Sequence, residues 1–125
     1  NYDVHIVDYE KKSLTSTYGT PDVRGKAGGL LNYPDDPHLL ADGKFITADI
    51  RNCRILIIDP KDNSIATQWG TPGKCRHNPP QELGHPNGAT PLDSGDILVT
   101  EISGSWISRI TRQGQVLWSV QAPNE

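Results

Sequence analysis

The sequence predicts an all-β fold: a β-propeller, of which this chain supplies about two and a half four-stranded blades of a larger ring. Repetition is the first observation behind this. Shifted by 52 positions, Pro34 falls on Pro86, Leu40 on Leu92, Gly43 on Gly95, Ile46 on Leu98, Asp49 on Glu101, Ile50 on Ile102, Ile55 on Ile107 and Ile58 on Ile110. Shifted by 51, Val4-His5-Ile6-Val7-Asp8 falls on Ile55-Leu56-Ile57-Ile58-Asp59 and Tyr18-Gly19-Thr20-Pro21 on Trp69-Gly70-Thr71-Pro72, and only His5 with Leu56 is a dissimilar pair. The second observation is that every signal within a unit is β, with short β-branched runs between turn clusters. The third is the lack of any sustained i, i+3, i+4, i+7 apolar spacing, which predicts almost no helix. A β-sandwich would also show short strands, but it has no reason to repeat its turns at a fixed interval. Four strands per unit of about 50 residues, joined by a longer linker, is the pattern of a blade.

Let the strands of a blade run A to D from the central channel outward. Residues 4–8 and 14–18 then read as strands C and D of a half-blade spanning 1–20. In the next blade, 34–70, residues 37–41 form a short apolar segment, Asp42-Gly43 a turn, and Lys44 to Ile50 a strand. Arg51 to Cys53 breaks the pattern, Ile55 to Ile58 is a continuous β-rich run, Asp59 to Asn63 is a dense turn cluster, and Ile65 to Trp69 is a further strand. The connection from Gly70 to Asn87 carries Pro72, Pro79, Pro80 and Pro86, which no helix of useful length tolerates. The last blade, 86–120, repeats A to D over 89–120.

Composition narrows the function classes. The longest uncharged apolar run, Ile55 to Ile58, is far short of the roughly 18 to 20 residues that a membrane span requires. Twelve Lys and Arg against fifteen Asp and Glu give a net charge of −3 and a pI near 5.7, which argues against a generally basic nucleic-acid or membrane binder. The chain begins at Asn1 and ends at Glu125, just after a strand D, and the first two strands lack their A and B. At about 52 residues per blade the length makes roughly 2.4 blades, whereas a ring normally needs at least four. The expectation is a segment of a longer or cleaved propeller, partnered by the remaining blades of the same or another chain.

The residues resemble a known family. Phe45-Ile-Thr-Ala-Asp49-Ile-Arg-Asn52-Cys-Arg54-Ile55-Leu-Ile-Ile-Asp59 is similar to the core of an NHL repeat, where a strand ends in Asp, a short loop carries Asn, and Arg-Ile opens the next strand. His85-Pro-Asn-Gly88 and Gly95-Asp-Ile-Leu-Val-Thr-Glu101 resemble its beginning. The whole chain also resembles bacterial propellers of the arylsulfotransferase-like and NHL-like group, whose blades end in an aromatic-Gly pair such as Trp69-Gly70. The last unit departs from the pattern, with Ser103, Ser105 and Trp106 at the positions of Arg51, Cys53 and Arg54. The resemblance implies either a binding module presenting a loop face and channel mouth to a protein, glycan or small anion, or a propeller enzyme of the arylsulfotransferase-like or lyase-like class using His and Arg at the channel mouth.

Candidate site residues follow from this frame. The B-to-C and D-to-A loops share one face, and there Arg24, Lys26, Arg51, Arg54, Lys74 and Arg76 stand against Asp22, Asp35, Asp36 and Glu82, a balance of +2. The opposite face balances to −2. These are either solvated loop charges or Arg forks for an anionic ligand, for which Arg51, Arg54, Arg76, Trp106 and Asp36 are the candidates. Cys53 and Cys75 fall on neighbouring loops of that face and are expected to form a disulfide, hence an oxidising, secreted, periplasmic or cell-surface location. The alternatives are unpaired thiols, or metal ligation by Cys75 with His77, whose spacing is weak for a zinc site. His38, His77 and His85 are the candidates for a catalytic or metal-ligating imidazole. The repeats supply no equivalent histidines, since Thr90 matches His38 and Tyr33 matches His85. No cofactor is strongly implied, and a metal at the channel mouth stays open. His5, in a strand, is expected to pack. Asp49 and Glu101 are expected to accept hydrogen bonds from the loop backbone that follows them, with Asp49 also pairing with Arg54. Trp69, Trp106, Trp118 and Tyr18 are expected to fill the wedge between blades. Trp106, on a loop, is the exception as a ligand contact.

Overall fold

A computed structural model of the chain describes residues 1–123; Glu125, the expected end after the last strand D, lies outside them. Among the described residues ten strands form three antiparallel sheets, each a meander in chain order. β1 (Asp3–Asp8) and β2 (Ser13–Gly19) make a two-stranded sheet. β3 (Pro34–Leu39), β4 (Phe45–Asp49), β5 (Arg54–Asp59) and β6 (Ser64–Gly70) make the first four-stranded sheet. β7 (Pro86–Pro91), β8 (Ile97–Glu101), β9 (Trp106–Ile110) and β10 (Val116–Gln121) make the second. These are blades of a propeller-type fold. A single 3-10 turn, Ile50–Asn52, is the regular helix among the described residues. Strand A begins at Pro34, three residues before the apolar segment marked from the sequence, because backbone pairing with Ala48 and Asp49 starts there.

Each outer strand carries one unpaired extra residue at the equivalent place. Thr15 is skipped between the Ile6–Ser16 and Val7–Leu14 pairs, Ala66 between Ile57–Thr67 and Ile58–Ile65, and Leu117 between Val116–Ile110 and Trp118–Arg109. Such a bulge increases local twist and spoils the outer edge as a template for further pairing.

The core lies between sheets. Ile46, Ala48, Ile55, Ile57 and Trp69 of the first blade pack on Ala89, Ile97, Val99 and Ile110 of the second, closed from the linker by Leu83. On its other face the same blade sets Phe45, Leu56 and Ile58 against Val4, Tyr18 and, from the linker, Leu31. β4 and β5 are therefore buried on both faces, which is why their sequence runs without the polar alternation of a half-exposed strand. His5 differs from expectation. It points away from this core, exposed, and bonds Thr17 at 2.8 Å and Asp3 at 2.7 Å.

The aromatic-Gly blade end has a steric cause. Gly70 has φ +90°, and a Cβ there would lie 2.2 Å from the Cys53 carbonyl oxygen; Gly19 repeats this with φ +92° and 2.3 Å to the Tyr2 carbonyl oxygen. Gly73 also has positive φ but open space around it. Gly70→Ala is expected to destabilise the chain by about 3 kcal/mol or more, since left-handed strain of roughly 1–2 kcal/mol is joined by a backbone clash. Gly73→Ala should lose only the strain. The difference between their urea midpoints checks this.

Candidate functional site

Each strand B ends in a buried carboxylate that ties the linker arriving from the previous blade. Asp49 is 0% exposed. Its Oδ1 accepts the Asn32 backbone N–H at 2.6 Å, and its Oδ2 accepts Asn52 Nδ2 at 2.8 Å and Arg54 Nε at 2.7 Å. Glu101, 2% exposed, repeats the first bond by accepting the Gly84 N–H at 2.7 Å. The expected Asp49–Arg54 pair is present. The backbone partner, however, comes from the preceding linker rather than the following loop. The following loop satisfies itself elsewhere: Ile50 and Arg51 N–H groups donate to Tyr33 and Asn32 carbonyls, Ile102 and Ser103 to His85 and Gly84, and Cys53 closes the 3-10 turn on Ile50.

The second carboxylate needs a donor that its own strand lacks, because Trp106 stands where Arg54 stood. His77 supplies it from the linker, Nδ1 lying 2.6 Å from Glu101 Oε2. Trp106 stacks on that imidazole, centroids 3.9 Å apart and planes within 4°. His85, next along, contacts Ser103 Oγ through Nδ1 at 2.7 Å. Cys53 and Cys75 form a disulfide with Cα atoms 5.3 Å apart, closing 22 residues of chain, a constraint worth about 3 kcal/mol through the unfolded state. It staples the 3-10 turn of the first blade to the linker.

At the inner strands, Asp36 bridges the two blades. One oxygen meets His38 Nε2 at 2.7 Å; the other accepts the Ala89 N–H at 2.9 Å and the Thr90 hydroxyl at 3.2 Å. Burial pushes its carboxyl up, but the Ala89 amide, then His38 and Thr90, outweigh this and hold it below the usual aspartate range. Arg76, on the linker, forks onto Glu82, and that guanidinium lowers the Glu82 carboxyl.

Of the sequence candidates, the structure thus pairs Arg54, His77, His38 and Asp36 with partners inside the chain, stacks Trp106 on His77, and leaves Arg76 paired with Glu82 but 75% exposed. Arg54 is 3% exposed and also donates to the Leu30 carbonyl. Arg51 differs: its guanidinium lies 4.2 Å over the Tyr33 ring, and Tyr2 meets Tyr33 edge-on at 5.4 Å. Tyr33 itself is exposed. The Tyr33 hydroxyl, and then loss of water, raise the Tyr2 phenol, while nearby Arg24 opposes the rise. Tyr33, Tyr2 and Arg24 were not singled out as ligand contacts, and only Tyr33's alignment on His85 marked its position. Counting Asp49 and Glu101 with this face cancels the balance of +2 read from the loops. Lys26, Lys74 and Arg76 are exposed on the same face as Arg51 and Arg24, and of these cations Arg51 is the one stacked on an aromatic ring.

No family model matches the chain, and no curated protein matches it. Its fold is similar to that of a solved structure, virginiamycin B lyase from Staphylococcus aureus, with a TM-score of 0.64 at 20% sequence identity, covering 98% of this chain and 35% of that one. The chain thus spans about a third of that protein's length, and at this identity the likeness establishes the propeller-type fold.

Two outcomes follow from these bonds. Arg54→Met should cost about 3–5 kcal/mol, because it leaves the Asp49 carboxylate buried without its cation; urea unfolding reads this. A lowered carboxyl stabilises the fold above its unfolded-state pKa, and that stability is lost as pH falls through the folded value. Wild type should therefore lose more stability than Asp36→Asn between about pH 5 and pH 2. Parallel loss in the two proteins would remove Asp36 as a blade-bridging carboxylate.

Proposed function

We propose that the chain is part of an NHL-like propeller, completed by further blades of the same or another chain, that binds an anionic ligand of the acidic-glycan class on its loop face. The observation that carries this is the Arg51–Tyr33–Tyr2 cluster with Arg24 beside it. The Tyr33 ring orients the guanidinium stacked on it, and that guanidinium offers two parallel donors for a carboxylate or sulfate. The carboxylate-tied linkers around it support the reading, because they hold the cluster on a rigid rim and reduce the ordering cost of binding. The disulfide is compatible with an extracytoplasmic setting, and among the described residues no helix is long and apolar enough to cross a membrane.

The enzymatic reading rests on the candidate imidazoles. His38 is the one at the inner strands, oriented by Asp36 as a general base would be, and the similar fold of a lyase keeps this second reading open. Calorimetric titration with oligogalacturonate separates the two. Binding should weaken at least tenfold in Arg51→Ala and fall with salt, with no consumption of the glycan. Glycan cleavage or aryl-sulfate turnover that disappears in His38→Ala would replace the binding reading with the enzymatic one.

A further inference from the structure

The disulfide has a third neighbour. The two sulfurs of Cys53 and Cys75 and one ring nitrogen of His85 all lie within 4.8 Å of one another, with Cys53 buried and the other two half-buried. We propose that reduction converts this bridge into a metal site in which two thiolates and one imidazole hold a zinc ion, water completing the coordination. Two sulfurs and a nitrogen form a donor set suited to zinc rather than to the oxygen-seeking magnesium or calcium. Cys75 with His77, the weak alternative in the sequence, is not the set used here, because His77 is turned to Glu101.

The step balances simply. A dithiol reductant gives two electrons and two protons to the S–S bond, yielding two thiols and its own disulfide. Zinc then forms two S–Zn bonds as the thiols release their protons, and His85 donates a neutral ring nitrogen.

The ligands have reason to stay in place once the bridge opens. The Cys53 position exists unbridged in the next blade: Ser105 has φ 55° against 54° for Cys53, and both close the same turn, onto Ile102 at 3.3 Å and Ile50 at 3.0 Å. Cys75 follows the Lys74 N–H to Thr71 carbonyl bond and precedes the paired bonds of Asn78 with Glu82. His85 receives the Ile102 N–H on its carbonyl at 3.0 Å, and Ser103 Oγ holds its ring through Nδ1. An oriented ring of this kind is usual for a metal-bound histidine.

The test uses the whole chain reduced with a phosphine under anaerobic conditions and titrated with cobalt(II) as a zinc probe. One equivalent should bind with a thiolate-to-cobalt charge-transfer band, which zinc then displaces. The oxidised protein and a Cys53→Ser/Cys75→Ser variant should show no band. Affinity should fall about 10–100-fold in Ser103→Ala, which frees the ring, and at least as far in His85→Ala, with His5→Ala as the unaffected control. Far-ultraviolet circular dichroism of the reduced protein should keep its strand signal. Loss of that signal on reduction, no band in the reduced protein, or equal cobalt affinity in His85→Ala would each overturn the proposal.

Discussion

One buried carboxylate per blade sets the course of the chain. At the end of strand B, where the ladder stops and backbone amides would otherwise lack partners, Asp49 and Glu101 each accept one N–H from the incoming linker, at 2.6 and 2.7 Å. That bond fixes Asn32 and Gly84, and the residue after each, Tyr33 and His85, turns through positive φ of 62° and 52°. Strand A begins immediately afterwards, at Pro34 and Pro86. The placement of the inner strand against its neighbour, and hence the contact between blades, depends on a carboxylate several residues ahead in the chain. Carboxyl groups so deeply buried are accommodated by the donors that surround them, a guanidinium at Asp49 and an imidazole at Glu101.

The linkers also contribute to the core. Leu31 and Leu83 are both 0% exposed, one in each inter-blade layer. A linker tied by its amide and plugged by its leucine behaves as a fifth packed segment of the blade. It does not behave as a loose connection. This is how a chain that is only 34% hydrophobic forms two apolar layers: the central blade presents both faces, and each layer is capped at the rim. The second blade shows the converse. Leu98 and Ile107, which match the buried Ile46 and Ile55, remain partly accessible, and Trp118 and Val120 are exposed. That face has the composition of an inter-blade surface without its neighbour.

The strand order, the turns and the blade-end glycines were legible in the sequence because they recur, and recurrence separates structural demand from accident. The Asp49–Arg54 pair and the disulfide do not recur, and were legible because the repeat frame brings their positions together. The direction of the Asp49 backbone bond was not. A carboxylate beside a loop reads as capping that loop, and nothing local shows that the loop's own amides are already taken by the linker. Leu31 on Leu83 is a pair at the same shift of 52, a signal that was present within stretches read only as connection. His5 failed as a packing residue because no blade among the described residues packs on that side, so the matched Leu56 is buried while His5 is exposed.

The contrast between the two carboxylates shows how one requirement can be met by unlike residues. Asp49 takes its cationic donor from strand C, where Arg54 follows the turn. In the next blade that position is Trp106, and the donor arrives instead from the linker as His77. The tryptophan is then no mere absence of arginine: its ring covers the imidazole at 3.9 Å and shields the His77–Glu101 bond from water, strengthening it electrostatically. The same demand explains why the departure from the repeat at Trp106 coincides with a histidine 29 residues earlier in the chain. Read along the sequence, the two look like separate functional candidates. In space they replace one arginine, and the guanidinium that stacks on an exposed ring at this rim is that of Arg51 over Tyr33.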